Sequence, residues 1–327
     1  MLGIDTSKNV LVAALRDGQT KKVLWSRDVP NTQEGVRGLL ALTPSNAAWV
    51  IEPTGRYSLL AVRLAQEAGR TVLLAPPRRV RAYLQSVQSR AKTDPIDATG
   101  LALFGLNTEK LAVYPVKSEP IDTLDQLLTA RKGLALALSS LDQRKRDLPS
   151  PVAKEKLEPA LLSLAAQIKA VDKEIAARIE QTAEFACAKQ LLKVHGIGKV
   201  TAAAVTSRLT ARRFSHPDQF VAYVGLDVRV RDSGTRRGQR RLTKQGDAEL
   251  RRLLYLCAKA TVRTKDSPFR AQYERELAKG LTRTAALCAV ARKMARLCWS
   301  LHKHNSEYDS ARVGRPAEGK QPVSNTN

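Results

Sequence analysis

The segment 2-LGIDTSKNVLVAAL-15 decides the predicted fold of the first part of the chain. Its apolar and β-branched residues predict a buried β-strand, and the turn residues 16-RDGQ-19 close it. The next segment, 21-KKVLWSRDV-29, is predicted to be the hairpin partner of this strand. An acidic residue, Asp5, lies between Ile4 and Thr6 in the middle of the apolar segment, which is an unusual place for a charge.

Strand and helix patterns alternate over the following residues. Helices are predicted at 33–42, at 56–68 and from Pro77 towards Ser89, and strands at 47–53 and 71–75. This alternation predicts a mixed α/β sheet with helices packed on its faces. The first domain is therefore expected to cover residues 1–118.

Long helices are predicted between about Ile121 and Thr182, and Pro149 and Pro151 divide this segment into two arms. The second arm has an apolar seam with steps of four and three residues, which is typical of a coiled coil. The seam consists of Leu157, Leu161, Leu164, Ile168, Val171 and Ile175. It either packs within the chain or pairs two subunits. The predicted divisions are a coiled-coil helical arm at 119–186, a mainly helical domain at 187–305 and a disordered polar tail at 306–327.

The charge of the chain is strongly positive. Its 327 residues include 55 Lys and Arg against 31 Asp and Glu, which gives a net charge of +24. A field of this sign attracts polyanions, and nucleic acid is the commonest such partner. A merely soluble basic surface is the alternative interpretation.

The cysteines lie far apart, without the spacing of a zinc site or a disulfide framework. They are Cys187, Cys257, Cys288 and Cys298. Buried thiols in a reducing compartment are therefore expected. No apolar run approaches the roughly 20 residues that span a bilayer, and no secretory segment is present at the N-terminus. We therefore expect a cytoplasmic protein with no membrane partner.

Four acidic residues suggest a metal site. Asp5 and Glu52 lie in or at the end of buried strands, where an unpaired charge costs several kcal/mol. Asp94 and Asp97 follow in 92-KTDPIDATGLAL-103, three residues apart at a predicted helix start. Strand-end acids with such a helix are the layout of a ribonuclease-H-like nuclease, in which carboxylates hold two Mg²⁺ ions.

The pair Asp94 and Asp97 also has a purely structural interpretation. Asp94 would be the N-cap of the helix, Pro95 its first residue and Asp97 the second acid of a capping box. Both interpretations are open when this segment is taken alone.

The segment 190-QLLKVHGIGKVTAAAVTSRL-209 predicts a helix-hairpin-helix element. In such an element a tight glycine turn and a helix N-terminus present backbone N–H groups to a phosphate. Gly196, Gly198 and Lys199 are the predicted contacts, and they would position a duplex without reading its bases. A plain turn between two helices is the alternative.

A serine lies within a cationic segment, 229-RVRDSGTRRGQRRLTKQGD-247. Guanidinium groups bind phosphate bidentately, and Gly234 beside Ser233 permits a close backbone approach. Ser233 is then either a turn residue in a phosphate-binding loop or a nucleophile. The candidate phosphate ligands are Arg229, Arg231, Arg236, Arg237, Arg240, Arg241 and Lys244.

The motifs occur in an order that resembles a known family. GIDTSK, EPTGRY, KTDPIDA, a helical arm, HGIGKVTAAA and then FVAYVGL…SG…KQGDAELRRLLY are similar to the DEDD transposases of the insertion sequence 110 family, relatives of the Piv-type DNA invertases. The resemblance extends from about residue 2 to 300. It implies a ribonuclease-H-like (RuvC-like) N-terminal domain, a helical coiled-coil arm and a mainly α C-terminal transposase domain with a helix-hairpin-helix. His195 departs from the pattern, because proline is usual there.

The resemblance also implies roles. Asp5, Glu52, Asp94 and Asp97 match the acidic residues of the family's metal-dependent domain, and Ser233 matches the serine regarded as its nucleophile. Members are thought to be directed to donor and target DNA by a non-coding bridge RNA and to act as tetramers, so a dimer or tetramer is expected for this chain. Whether the acids and Ser233 meet within one subunit or between two is open in the sequence. A hydrolytic RuvC-like endonuclease and a non-enzymatic DNA-bridging protein are the alternative functions.

Overall fold

The computed structural model describes residues 1–53, 55–87, 97–115, 117–229 and 241–313. The chain divides into two compact units, Met1–Val116 and Lys117–Asn327. The predicted division into four parts is finer than this and stays a prediction. Several predicted site residues lie outside the described residues, namely Asp94, Arg231, Ser233, Arg236, Arg237 and Arg240.

The first unit is built on a mixed five-stranded sheet with the strand order β3-β2-β1-β4-β5. Its strands are β1 (Leu2–Thr6), β2 (Val10–Arg16), β3 (Val23–Pro30), β4 (Trp49–Ile51) and β5 (Val72–Leu74). Its helices are α1 (Gln33–Leu42), α2 (Arg56–Glu67), α3 (Pro77–Val87) and α4 (Ala98–Asn107). The central strand β1 is antiparallel to β2 and parallel to β4. The mixed α/β sheet predicted from the alternating patterns is thus confirmed, and it fits a ribonuclease-H-like transposase domain.

The opening segment differs from its prediction in one respect. Instead of a single strand over 2–15, two antiparallel strands are joined by a tight turn at Ser7. The Ser7 hydroxyl donates to the carbonyl oxygen of Val10 at 2.8 Å and accepts the Val10 N–H at 3.1 Å. A serine that bonds the backbone in this way offers an alternative to continued strand pairing, so the chain reverses. The hairpin partner predicted over 21–29 forms β3 and pairs with β2.

Helix α4 packs directly on the central strand because Gly3 has no side chain. A Cβ atom at position 3 would overlap the Ala98 carbonyl oxygen and lie 2.5 Å from the amide nitrogen of Ala102. A second glycine, Gly105, makes room for the Val50 side chain of β4 in the same way. The contact between bare backbone and helix sets the height of α4 above the sheet, and with it the position of the residue that begins the helix.

We expect Gly3→Ala to lower the free energy of unfolding by about 1–3 kcal/mol, because overpacking forces the helix away from the strand. The measurement is urea unfolding of the full chain, followed by circular dichroism. Gly38→Ala is the matched control: Gly38 is an exposed residue of α1, and no atom lies within 4 Å of a Cβ built there. That change should stabilise by about 0.5–1 kcal/mol. Equal effects of the two substitutions would contradict the packing argument.

The second unit is mainly helical. Its helices are α5 (Glu119–Asp147), α6 (Pro151–Gln181), α7 (Ala186–Leu192), α8 (Lys199–Ala211), α9 (Pro217–Val224), α10 (Ala248–Thr261), α11 (Pro268–Ala278), α12 (Arg283–His304) and α13 (Ser310–Val313). Two short strands, β6 (Val228–Arg229) and β7 (Arg241–Leu242), form a separate ladder. The core includes the fully buried Phe185, Phe220 and Phe269. All four cysteines are free, and three of them are buried as expected, Cys288 being partly exposed.

The two long helices α5 and α6 pack against each other in the segment predicted as an arm, and the arm itself stays a prediction. They are separated at Leu148–Ser150, where Ser150 caps α6 and Pro151 is its first residue. Arg131 of α5 pairs with Asp172 of α6 at 2.6 Å, which joins the two helices. Leu161 and Ile175 of the predicted seam are buried. The coiled-coil character of this pair stays a prediction.

Residues 306–313 differ from the prediction of a disordered tail from 306 onwards. Ser310–Val313 form the short helix α13, and Val313 is buried in the core of the second unit. Val313 and the partly buried Tyr308 thus attach this polar segment to the core, which composition alone did not show. Among the described residues, no helix is both long and apolar enough to cross a membrane.

Candidate active site

Asp5 and Glu52 lie side by side at the same end of the sheet. In the parallel pairing of β1 with β4, Ile4 stands opposite Ile51. Asp5 follows Ile4, and Glu52 follows Ile51 directly after β4 ends. Because parallel strands keep their register, the two carboxylates stand on neighbouring backbones at the carboxyl edge of the sheet. The site predicted at the strand ends is therefore built from two residues that the sheet itself aligns.

The electrostatics of these carboxylates show that they share one environment. Burial raises the pKa of Asp5, its hydrogen bond with the Thr6 backbone lowers it, and the charge of Asp97 raises it further. Burial also raises the pKa of Glu52; the charge of Asp5 adds to this, and Arg81 opposes it. Both carboxylates are half-buried. Negative charges are thus gathered where water cannot fully solvate them, and a cation would relieve this repulsion.

Asp97 reaches the same region from the start of α4. It is the N-cap of that helix, and its Oδ1 accepts the Gly100 N–H at 2.5 Å and the Thr99 hydroxyl at 2.8 Å. Oδ2 takes no part in this cap. The capping interpretation needs correction, since Asp97 rather than Asp94 caps the helix: the helical geometry begins only at Ala98. Asp94 lies outside the described residues.

The donor chemistry of the acids fits a hard divalent cation. Asp5 and Glu52 offer only carboxylate oxygens, and these are desolvated and mutually repelling. In the part of the chain that the structure describes, no cluster of three or more acidic, histidine or cysteine side chains is closed around a metal position. The described residues therefore supply an aligned pair of carboxylates as candidate ligands, and the charge of Asp97 acts on Asp5.

The predicted glycine turn joins α7 to α8 in the second unit. Gly196 has a positive φ of 89°, and a Cβ there would lie 2.9 Å from the carbonyl oxygen of Cys257. Gly198 begins α8 without any side-chain cap, and both Gly198 and Lys199 are exposed. The Gly198 backbone bonds the Cys257 sulfur, and the uncapped N-terminus of α8 lies beside the exposed Lys199, which suits an anionic ligand.

The predicted serine loop, whose residues 230–240 lie outside the described part of the chain, is flanked by the ladder of β6 and β7. Val228 pairs with Leu242, and Arg229 with Arg241, so these pairs bracket residues 230–240. Just beyond the ladder, the Thr243 N–H donates to the Asp227 carbonyl oxygen at 3.0 Å. Arg229, Arg241 and Lys244 are exposed at this base. Three of the predicted phosphate ligands are thus placed at the root of the loop that contains Ser233.

A charged network below this loop was not found from the sequence. Arg208 of α8 pairs with Asp125 of α5 and, through Nε at 3.2 Å, with Asp247. Asp247 caps α10 by accepting the Leu250 N–H at 2.9 Å, and its own N–H donates to the Tyr223 carbonyl oxygen. The two carboxylate side chains are only 15% and 17% exposed. The N-cap role of Asp247 could have been predicted, because an aspartate precedes the helical segment Ala-Glu-Leu. Its pairing with Arg208 could not, because the two residues belong to segments that are distant in sequence.

We expect Arg208→Ala to lower the free energy of unfolding by about 3 kcal/mol, because the poorly solvated Asp247 loses its cation and, among the described cations, Asp125 keeps only Lys117. Chemical denaturation of the full chain is the measurement. Arg270→Ala serves as the control, since Arg270 pairs with Glu274 on the exposed surface of α11. Its effect should stay within about 0.5 kcal/mol. If both changes cost the same, the network does not anchor these helices.

Comparison with known families agrees with this arrangement. A model of IS110-type DEDD transposases, described as "Transposase", matches residues 2–148, which include β1, β4 and α4. A model described as "Transposase IS116/IS110/IS902 family" matches residues 188–274, which include the glycine turn and the serine loop. The chain belongs to the IS110 family of transposases. Family membership makes it an enzyme of DNA recombination, and the DEDD site of such transposases typically uses a divalent metal.

Individual relatives of this IS110-family transposase agree with the assignment. The "Probable family 20 transposase" of Pseudomonas aeruginosa is 29% identical over 191 residues, 56% of each chain. The "Pilin gene-inverting protein" of Moraxella bovis is 25% identical over 318 residues, 94% of this chain and 97% of that protein. A transposase for an insertion sequence element, IS1328 of Yersinia enterocolitica, is 30% identical over 141 residues, 42% of this chain and 41% of its own. The chain spans about half the length of the Pseudomonas protein and nearly all of the Moraxella protein.

Proposed function

We propose that this transposase cuts and rejoins DNA through a covalent link between Ser233 and a DNA phosphate. The observation that carries the proposal is the alignment of Asp5 and Glu52 at the carboxyl edge of the sheet, in a chain whose family is that of DEDD transposases. Desolvated acids in register are costly to keep unless they serve a cation. The serine is proposed from its place in the cationic loop and from the resemblance.

The chemical step conserves the phosphodiester bond energy. The Ser233 oxygen attacks phosphorus, a serine–phosphate ester forms, and the bond from phosphorus to the leaving sugar oxygen breaks. The serine gives up one proton and the leaving oxygen gains one, so no proton is consumed overall. Attack by a sugar hydroxyl of the new strand reverses these bonds and frees the serine. Rejoining therefore needs no ATP.

The residues of the chain divide this work. Arg229, Arg241 and Lys244, together with Arg231, Arg236, Arg237 and Arg240, bind the phosphate and stabilise its developing charge. We assign Asp5, Glu52, Asp94 and Asp97 to Mg²⁺, which when bound would neutralise the leaving oxygen. The exposed turn of Gly196, Gly198 and Lys199 binds the DNA backbone as a helix-hairpin-helix.

We further propose a non-coding guide RNA as a partner and a dimer or tetramer as the active form. The net charge of +24 supports the binding of RNA beside DNA, and the long helices α5 and α6 support subunit pairing as a coiled coil. RNA that copurifies with the chain at low salt, and that maps to DNA flanking the gene, would establish the guide. Light scattering of the purified protein measures the subunit number.

The experiment for the central proposal is a trapping assay. The protein is incubated with Mg²⁺ and a nicked suicide DNA, denatured, and separated by denaturing electrophoresis. A band of DNA joined to protein is expected, and proteolysis should leave a peptide containing Ser233 on the DNA. Cut DNA with free ends and no adduct would instead indicate a hydrolytic endonuclease, and uncut DNA a bridging protein.

A further inference from the structure

A large basic groove lies beside the base of the serine loop in the second unit. Its volume is about 1990 Å³. It begins at Val228 and Leu242, which face each other in the ladder of β6 and β7, and continues between α11 and α12. The groove therefore leads away from the loop that contains Ser233.

The groove is lined by seven Lys and Arg residues and only three Asp and Glu residues. Two of the acids are already engaged: Glu276 pairs with Lys279 at 3.2 Å, and Glu307 with Lys193 at 3.7 Å. In contrast, Arg275, Lys293 and Lys244 have no acidic partner within the described ranges. Arg296 pairs with Asp218 at 2.6 Å, so the unbalanced positive charge of the groove includes Arg275, Lys293 and Lys244.

The cations also disfavour one another. Burial lowers the pKa of Lys293, and the charge of Arg275 lowers it further. Burial lowers the pKa of Arg292 as well, with Arg296 adding to the effect. Clustered, partly desolvated charges of one sign are costly to the folded protein, and an anionic ligand would remove that cost.

The groove has apolar as well as charged surface. Leu281, Ala285, Ala289 and Leu297 contribute to its lining. Trp299 also lines it, and its indole is held in place by donating to the Phe214 carbonyl oxygen at 3.0 Å. Cations together with apolar surface suit a single strand, whose phosphates and unpaired bases are both accessible. A duplex would present its phosphates and base edges but keep its base faces stacked, out of contact with the apolar lining.

We propose that the groove between α11 and α12 binds a single strand of DNA, the strand that continues from the phosphate held by the serine loop. This inference rests on the proposed function, which identifies the phosphate as the one that Ser233 attacks. The anionic nature of the ligand is inferred from the positive charge of the groove. The residues beyond Val313 are a poor alternative occupant, because Arg315, Glu318 and Lys320 give them a positive charge.

The test is the binding of a fluorescein-labelled 20-nucleotide single strand of DNA to the full chain in EDTA, measured by fluorescence anisotropy at several salt concentrations. The double variant Arg275→Gln, Lys293→Gln should bind at least about tenfold more weakly at low salt. Its slope of log affinity against log salt should be shallower by about 1.4, from the loss of two phosphate contacts.

The control variant is Arg283→Gln, Lys303→Gln. Both residues are exposed on α12 but do not line the groove. It removes the same charge and should leave affinity and slope close to those of the unchanged protein. Equal losses in the two variants would overturn the groove assignment. The assignment would also be overturned if an RNA strand of the same sequence bound tightly and the DNA strand failed to displace it. A third contrary result would be that, in a chain truncated after Val313, the double variant at Arg275 and Lys293 no longer weakens DNA binding.

A second measurement keeps the inference testable if the variant fails to fold. Cys288 lines the groove, and it is the one cysteine that is not buried. Burial raises the pKa of its thiol, so alkylation by iodoacetamide is carried out at alkaline pH. Saturating single-stranded DNA should protect Cys288, and unchanged alkylation would overturn the proposal. Neither measurement needs DNA cleavage. The groove assignment is therefore tested independently of the adduct assay.

Discussion

Replacement of Ser233 by alanine is expected to abolish the protein–DNA adduct and to reduce strand transfer by about 10⁴-fold or more, the scale on which loss of a nucleophile acts. The alanine removes one oxygen and leaves the cationic loop unchanged. DNA binding should therefore stay within about twofold of the unchanged protein, because the arginines at the loop base still contact phosphate. The measurement is the suicide-substrate assay, with anisotropy for the binding.

Ser215→Ala is the matched control for this prediction. Ser215 is an exposed serine of the same unit, whose hydroxyl bonds the side chain of Gln219 at 3.1 Å. Its removal should leave the adduct intact. An adduct that persists in Ser233→Ala would show that another residue is the nucleophile. An adduct lost in both variants would show that the assay reports on folding.

Asp5→Asn should abolish cleavage, by about 10³-fold or more, and leave DNA binding largely unchanged. The amide has the size of the carboxylate but cannot supply the anionic oxygen that Mg²⁺ prefers. Because burial and the charge of Asp97 already disfavour the carboxylate, the metal-free variant should be at least as stable as the unchanged protein. Addition of Mg²⁺ should raise the melting temperature of the unchanged protein and have little effect on the variant.

Asp28→Asn is the control on the same sheet. Asp28 stands opposite Val12 on β3, in the row of residues that continues to Asp5, but its side chain is exposed. It should keep both cleavage and the response to Mg²⁺. Retained cleavage in Asp5→Asn would remove Asp5 from the metal site, whereas a loss in both variants would point to the charge of the sheet as a whole.

The sequence was informative where one local pattern determines one element. The alternation of strands and helices predicted the mixed sheet, and Pro149 and Pro151 predicted the separation of α5 from α6. The strand over 2–15 was wrong in its middle because three polar residues suffice for a turn once Ser7 bonds the backbone at Val10. Strand-end position was enough to select Asp5 and Glu52, but their alignment depends on pairing that only the fold supplies.

Features formed by distant segments were beyond the reach of sequence patterns. The pairing of Arg208 with Asp125 and Asp247 brings together three helices, and none of these residues has a local signal for the others. The groove between α11 and α12 was missed for the same reason, since its cations are spread over β7, α11 and α12. Asp97 was selected correctly as an acid near a helix start, yet its capping role required the helix boundary to be known.

The shielded position of Arg208 has a practical consequence for purification. At about 1 M salt the Debye length falls to about 3 Å, which suppresses attraction between exposed cations and nucleic acid. Pairs with little solvent exposure are screened much less, so the contacts of Arg208 with Asp125 and Asp247 should persist. A concentrated salt wash should therefore strip contaminating nucleic acid from this strongly basic protein while its helical unit remains folded.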